Sequence, residues 1–266
     1  MIRLPAVSGS FYPSDPGELA RQVDLLSPVS EKISAIACVV PHAGYVYSGH
    51  VAGAVYSSLR IPSRCILLGP RHFPQGERMA ILSRGAFRTP LGDAPIDEEL
   101  AADLAHRYPR LREDTVAHER EHSLEVQIPF LQRHAPDVRI VPVTLASDRY
   151  PALEELGRAL AQTVSAQAEP VLLVASSDMN HYESEAVTRE KDERAIARML
   201  ALDPRGLYDV VRNEEISMCG YAAVVAMLVA ARELGATEAT LVRHATSGDV
   251  NGDRAQVVGY AGIIVR

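Results

Sequence analysis

Four short runs of almost entirely apolar residues constrain the fold of this 266-residue chain more than any other feature. The runs are Ile33–Val40, Arg64–Leu68, Val138–Leu145 and Val171–Ala175. Unbroken apolar runs of this length are typical of strands buried on both faces, as in parallel sheets covered by helices. Two further strand-like segments, Thr240–His244 and Gln256–Val265, lie near the C-terminus.

Segments with the apolar spacing of helices separate and follow these runs. The predicted helices are Val51–Leu59, Asp97–His106, His122–His134, Pro151–Ser165, Glu183–Ala201 and Cys219–Leu234. This alternation predicts an α/β fold: a single domain over residues 1–266, with a central, largely parallel or mixed β-sheet flanked by helices. The segment Arg78–Pro90 instead has the pattern of a hairpin centred near Gly85.

Charge and composition exclude several classes of protein. The formal charge is −7, and the sequence contains no run of basic residues, so we expect no nucleic-acid partner. No apolar stretch reaches the ~18–20 residues that span a bilayer, so we expect no membrane insertion. The three cysteines are too few for a disulfide scaffold, which favours a reduced, cytoplasmic protein with Cys38 and Cys65 in the core. A chain of this size is compatible with a homo-oligomer.

Side chains that can take part in catalysis or metal binding follow three of the four apolar runs. His42 follows the first run, His72 the second, and Asp178 and His181 the fourth. The third run ends in the sequence Ala-Ser-Asp at 146–148, without a histidine. Ligands of parallel sheets bind beyond the carboxyl ends of the strands, so we expect these side chains to face one cleft.

Glu121, His122 and Cys219 are further candidates. Acidic residues are favoured in the first turn of a helix, which explains Glu119 and Glu125 without a functional role. An imidazolium gains nothing there, so His122 is expected to be neutral and functional or buried. Cys219 precedes a predicted helix, whose N-terminus would stabilise its thiolate.

Two imidazoles and one anionic ligand suit non-heme Fe(II), whereas a His/Cys mixture suits zinc or copper. The residue pattern leaves open whether Cys219 or Asp178 is the third ligand. Asp178 and His181 would orient ligands or move protons. The sequence contains neither a standard nucleotide-binding loop nor the G-x-S-x-G elbow of serine hydrolases.

Seven motifs in order then identify a resemblance. They are RLPAVSGSFYP at 3–13, PHAGY at 41–45, LGPRH at 68–72, TPLG at 89–92, EHSLE at 121–125, SSDMNHY at 176–182 and MCG at 218–220. Together they resemble the Memo family, known in prokaryotes as AmmeMemoRadiSam system protein B. The resemblance implies a fold similar to the class III extradiol dioxygenases, which use non-heme iron.

The resemblance also implies site residues. The family's metal ligands fall on His42, His72 and Cys219, and its pocket Asp and His fall on Asp178 and His181. The implied cofactor is iron or copper, with zinc as a further candidate. The implied partners are a small-molecule or peptide ligand and a radical-SAM protein of the same system.

Two functions follow as hypotheses. The first is a metal-dependent oxidoreductase similar to a dioxygenase, with Asp178, His181, His122 and Glu121 serving catalysis. The alternative is a peptide- or protein-binding module that uses the same cleft without catalysis, and a metal buffer or chaperone is a third, weaker reading. Cys219 stands where the dioxygenases have a carboxylate, which favours metal binding over ring cleavage. Arg71 replaces the family's usual Ser or Asn, and we expect it to point outward.

Overall fold

The computed structural model describes residues 1–146 and 149–266; Ser147 and Asp148, which follow the third apolar run, lie outside the described residues. The strands are β1 (Ile2–Arg3), β2 (Ala37–Val40), β3 (Arg64–Pro70), β4 (Met79–Ile81), β5 (Ala86–Thr89), β6 (Gly92–Pro95), β7 (Arg112–Glu113), β8 (Arg139–Leu145), β9 (Val171–Ser176), β10 (His181–Glu183), β11 (Ala239–Thr246) and β12 (Val257–Val265). The α-helices are α1 (Pro16–Leu26), α2 (Tyr45–Ser57), α3 (Glu98–Arg107), α4 (Val116–Glu119), α5 (Ile128–His134), α6 (Tyr150–Ser165), α7 (Glu185–Leu200), α8 (Pro204–Asn213), α9 (Tyr221–Glu233) and α10 (Gly248–Asn251), and a 3-10 helix spans Glu125–Gln127.

The four apolar runs form the centre of the main sheet. The strand order is β10-β12-β2-β9-β3-β8-β4-β7, and β11 pairs with β12. Strands β2, β9, β3 and β8 run parallel, whereas β12 and β4 flank them antiparallel. Almost every residue of the four central strands is buried. The prediction of an α/β fold with a mixed sheet is confirmed.

Helices cover the sheet in two groups. Helix α2 packs on β2, β11 and β12 together with α1 and α5, and α9 packs on β3 and β9 together with α6 and α8. Helix α9 is buried without interruption from Ala222 to Ala231, as expected for a helix covered by both a sheet and other helices. Among the described residues, none of the helices is both long and apolar enough to cross a bilayer.

The predicted hairpin at 78–90 is wrong. Strand β4 belongs to the main sheet, antiparallel to β8, whereas β5 pairs with β6 in a separate small sheet that also contains β1. Gly85 has a φ of +101°, and a Cβ there would lie 1.9 Å from the carbonyl oxygen of Met1. The glycine therefore serves the close approach of the N-terminal strand rather than a two-strand turn.

The predicted helix at 122–134 begins later than expected. Residues 121–124 form a loop, and the 3-10 helix and α5 follow. Pro129 lies in the first turn of α5, where the missing amide hydrogen has no consequence. Helices α1 and α8 were not predicted, although each begins with an Asp cap followed by Pro, a readable start signal.

Candidate metal centre

Three candidate side chains leave the sheet at equivalent positions. His42, His72 and Asp178 each lie two residues beyond the end of a parallel strand, β2, β3 and β9 respectively. Because these strands are neighbours with the same direction, their carboxyl ends meet at one edge of the sheet. The expected convergence of the three strand ends is therefore present.

A cluster of three histidines forms at this edge. His42, His72 and His122 each offer a ring nitrogen, and these atoms all lie within 4.8 Å of one another. The rings of His72 and His122 stack with centroids 4.6 Å apart, and both meet the ring of His42 edge to face. We call these three residues the histidine cluster.

The tautomer of His42 follows from its neighbours. Ser176 Oγ donates its only hydrogen to the carbonyl oxygen of Ser123 over 2.7 Å, so it accepts from His42 Nδ1 over 2.9 Å. Gln127 Nε2 also donates a hydrogen bond to Ser176 Oγ. His42 Nε2 therefore carries the free lone pair. Burial, and then the neighbouring His72, holds the pKa of His42 well below its ordinary value, which keeps the ring neutral.

Glu121 orients His72. Its carboxylate accepts from the His72 backbone amide at 2.5 Å and from His72 Nδ1 at 2.8 Å, which leaves Nε2 free. Burial alone would raise the pKa of Glu121, but the hydrogen bonds from His72 and Ser123 lower it to about 2. The carboxylate raises the pKa of His72 against the opposing effect of burial. A carboxylate behind a histidine ring is the usual support of a metal-binding imidazole.

His122 completes the cluster from the loop before the 3-10 helix. Its ring contacts Phe11 edge to face at a centroid distance of 4.9 Å. Burial lowers the pKa of His122, with the charge of Glu121 opposing it. The predicted helix at 122–134 would have placed His122 and Glu125 on one face, but the chain between them is not helical until Glu125.

Cys219 lies beside the cluster. Its Sγ is 3.2 Å from His42 Nε2. It is not one of the three residues whose ligand atoms group together in the described part of the chain. Helix α9 begins two residues later, at Tyr221, and burial followed by the charge of Asp178 raises the pKa of the thiol. The expected stabilisation of the thiolate by the helix is thus outweighed, and the thiol donates a hydrogen bond to His42 Nε2.

Gly220 allows this close approach. A Cβ at this position would lie 2.2 Å from the carbonyl oxygen of Ser176, at the end of β9. Its amide donates to Ser177 Oγ over 2.9 Å. Only glycine lets the segment that carries Cys219 pack against the strand end.

Asp178 and His181 also face this region. Asp178 Oδ1 accepts from the His42 amide over 2.8 Å, and burial raises the pKa of the carboxyl. His181 Nδ1 lies 2.8 Å from the carbonyl oxygen of Ser217, which can only accept, so Nδ1 donates this hydrogen bond. The next residue, Tyr182, has a φ of +61°, and the pairing of β10 with β12 shifts register there. This unfavourable backbone conformation occurs beside a candidate site residue, as is common at functional sites.

All but one of the predicted site residues line a single cleft of about 710 Å³. Its lining residues are Phe11, His42, Ala43, Gly44, Tyr47, His72, His122, Asp178, His181, Tyr182, Ser217, Cys219, Val258 and Tyr260. The exception is Glu121, which lies behind His72 and contacts rings rather than the cleft. The Arg71 guanidinium donates to the carbonyl oxygens of Gln75, Gly76 and Glu77, so it stabilises the following loop.

Several supporting residues were not identified from the sequence. Ser176 and Phe11 lie inside the motifs quoted above, so membership of those motifs is the signal that could have identified them. Gln127 and Ser217 could not, because each acquires its role only through a contact with a residue distant in the chain, Ser176 and His181 respectively.

The donor set fits a metal ion. Two of the three imidazoles have a ring nitrogen occupied by a protein acceptor, and the pKa values of His42 and His122 are lowered, as a neutral ligand requires. Neutral imidazoles suit iron, copper and zinc, and an adjacent thiol favours the softer of these. Water and a ligand can reach the cluster through the cleft.

Comparison with known proteins gives consistent matches over the whole chain. The pattern of the family described as "Memo-like protein" matches residues 3–264. A "MEMO1 family protein" of Aquifex aeolicus is 42% identical, with 99% of this chain and 98% of that protein covered. One from Pyrobaculum arsenaticum is 41% identical, also with 99% and 98% covered. One from Methanothermobacter thermautotrophicus is 39% identical, with 98% and 99% covered.

Among solved structures, an uncharacterized protein of Escherichia coli K12 has a similar fold. It aligns with a TM-score of 0.60 at 16% sequence identity, over 86% of this chain and 98% of that one. At this identity the similarity concerns the fold alone.

Proposed function

The chain belongs to the Memo-like protein family, and from this premise we propose that it is a metal-dependent redox protein with a histidine-held ion in its cleft. The observation that carries the proposal is the grouping of His42, His72 and His122, whose ligand atoms lie within 4.8 Å of one another. The ion is iron or copper, with zinc as the redox-inactive alternative.

The ligand set in this proposal differs from the set that the family resemblance implies. His122 would join His42 and His72 as a ligand, and Cys219 would be an adjacent group close enough to interact with the ion. Support comes from the thiol, which is 3.2 Å from the ring nitrogen that carries the free lone pair. A bound ion would supply electron transfer or polarisation of a ligand oxygen at this place.

The remaining residues have distinct roles in the proposal. Glu121 and Ser176 fix the ring orientation and tautomer of His72 and His42. His181 Nε2 accepts a proton from a ligand in the cleft, since its Nδ1 is held by Ser217. Asp178, which lines the same cleft, accepts or holds a proton because burial raises the pKa of its carboxyl.

A second candidate is the peptide- or protein-binding module. Tyr182 is 72% exposed and Tyr47 is 38% exposed, and both line the mouth of the cleft. Exposed tyrosines beside a cleft favour protein recognition. The radical-SAM partner and the cytoplasmic location expected from the sequence stay predictions.

Anaerobic purification without a histidine tag, followed by elemental mass spectrometry, tests the proposal. We expect close to one iron or copper ion per chain, or its uptake from added Fe(II) or Cu(I). A protein that contains no metal and takes up none would refute the redox proposal. Tight peptide binding that persists without metal would then favour the binding module.

A further inference from the structure

A second cavity adjoins the cleft. This cavity, which we call the N-terminal groove, has a volume of about 840 Å³. It is lined by residues 1–7 together with Phe11, Phe73, Thr115, Glu119, Arg120 and His122. Most of these residues are apolar, and Met1 and Leu4 are each 63% exposed.

The groove and the cleft share a wall. Phe11 and His122 line both cavities, and their rings meet edge to face at a centroid distance of 4.9 Å. One ring of the histidine cluster therefore faces the groove as well as the cleft. A ligand that lies in the groove can therefore have one end against Phe11 and His122, the two residues that also line the cleft.

Hydrogen bonds within the protein hold one side of the groove in place. Glu125 is fully buried and accepts hydrogen bonds from Arg3, from Tyr12 Oη at 2.6 Å, and from the amides of Ala6 at 2.8 Å and Val7 at 3.1 Å. These four donors fix the N-terminal segment that forms one side of the groove. A preformed apolar groove loses little conformational entropy on binding.

The charge of the groove comes from its rim. Arg3 is neutralised by its ion pair with Glu125. The Arg120 guanidinium lies 4.6 Å from the ring centroid of Phe73, the residue after His72, and has no carboxylate partner among the described residues. Glu119, at the same rim, is the only carboxylate that lines the groove in the described chain. Arg120 thus places a free positive charge on the side of the groove that adjoins the histidine cluster.

We propose that the N-terminal groove binds the apolar tail of an anionic amphiphile whose head passes Phe11 toward the histidine cluster. Arg120 attracts the anionic head, and the side chains of residues 1–7 cover the tail. The inference names a ligand class for the cleft, so it rests on the proposed function of that cleft. Phe11 is then a specificity-determining residue, because it sets how far a ligand reaches from groove to cleft.

Calorimetric titration of the metal-free protein with hexanoate, octanoate and decanoate tests the inference. We expect saturable binding with one site per chain and an affinity that rises about two- to fourfold with each added methylene group. Arg120→Glu should weaken decanoate about tenfold and leave 1-decanol unaffected. Glu119→Gln should strengthen decanoate, and Thr115→Trp should block both compounds by filling the groove.

Two matched controls separate groove effects from general ones. Arg60→Glu makes the same charge change at an exposed arginine outside the groove, and Leu241→Trp adds an indole at an exposed position on β11. Both should bind decanoate like the wild type. The inference would be overturned if the wild type did not bind decanoate, or if Arg120→Glu and Thr115→Trp both bound it as tightly as the wild type does. Because the titration uses metal-free protein, its failure is distinguishable from failure of the metal centre.

Discussion

Two buried glutamates of one five-residue motif have opposite surroundings. Glu125 is closed on every side by Arg3, Tyr12 and two backbone amides. Glu121 instead contacts the rings of His72 and His122, whose other sides face a cleft. Both carboxylates are fully satisfied, yet only Glu121 supports side chains with unused lone pairs. The comparison indicates that the charge of Glu125 stabilises the fold, whereas the charge of Glu121 orients side chains of the candidate site.

The largest expected effect comes from a substitution at Glu125, the glutamate that is enclosed by its partners; we refer to its surroundings as the closed side and to those of Glu121 as the open side. Glu125→Gln leaves Arg3 buried without its counter-charge, which should lower the free energy of unfolding by about 3–5 kcal/mol. Urea denaturation measures this change. The matched control, Asp93→Asn, breaks the exposed pair with Arg88 and should leave the unfolding midpoint unchanged. An equally small effect of Glu125→Gln would show that this ion pair does not hold the N-terminal segment.

His118 belongs to the closed side, because its backbone carbonyl accepts from Arg3 Nε over 3.0 Å. Among the described residues, neither ring nitrogen makes a close hydrogen bond, and burial, followed by the charge of Arg3, lowers the pKa of His118 to about 4. The unfolded chain binds this proton near pH 6.5 and the folded protein only near pH 4. Stability is therefore fully present above pH 6.5 and is lost as the pH falls toward 4, by about 3 kcal/mol.

Unfolding measured between pH 7 and 4 checks this expectation. His118→Phe has no titrating group at this position and should show a flatter pH dependence, whatever its stability at pH 7. A matched variant, His106→Phe, changes an exposed histidine of α3 and should retain the wild-type slope. Identical slopes for the wild type and His118→Phe would contradict the expectation.

The open side of the comparison is tested by the same chemical change at the other glutamate. Glu121→Gln should weaken metal binding about 10- to 100-fold, because the ring of His72 loses its charged acceptor. It should destabilise the fold less than Glu125→Gln does. Competition with a chelator gives the affinity, and denaturation of the metal-free protein gives the stability. A larger stability loss at Glu121 than at Glu125 would reverse the assignment of the two carboxylates.

The smallest effect concerns His181. Ser217→Ala removes the hydroxyl that accepts from the His181 amide over 2.7 Å, at a cost of about 1 kcal/mol. The carbonyl of Ser217 still holds Nδ1, so nitrogen NMR should show the same tautomer with added exchange broadening. A change of tautomer would mean that the hydroxyl, not the carbonyl, fixes the ring.

The sequence predicted the parts of the site that depend on topology. The four apolar runs become neighbouring parallel strands, so His42, His72 and Asp178 had to meet at one edge. The grouping of His122 with His42 and His72 could not be predicted. It depends on a loop at 121–124, where a helix was expected, and on the ring stacking that the loop permits.

The small sheet and the role of Glu125 could not be predicted either, because both depend on contacts between residues far apart in the chain. Local patterns placed a turn at Gly85, but the N-terminal strand that fills the space beside it is more than eighty residues away in the chain. Arg3 and Glu125 are likewise separated by 122 residues. Helix-terminus preference explained Glu125 from its sequence neighbours, whereas its actual hydrogen-bond partners all lie in the first motif, at residues 3–13.

The ligand set is tested most directly by the metal content of single alanine variants at His42, His72, His122 and Cys219, with His106→Ala as the control. All are purified anaerobically and reconstituted with the same metal. We expect His42→Ala, His72→Ala and His122→Ala to lose the ion while folded, and Cys219→Ala and His106→Ala to retain it. Retention in His122→Ala together with loss in Cys219→Ala would contradict the three-histidine centre and identify His42, His72 and Cys219 as the ligands.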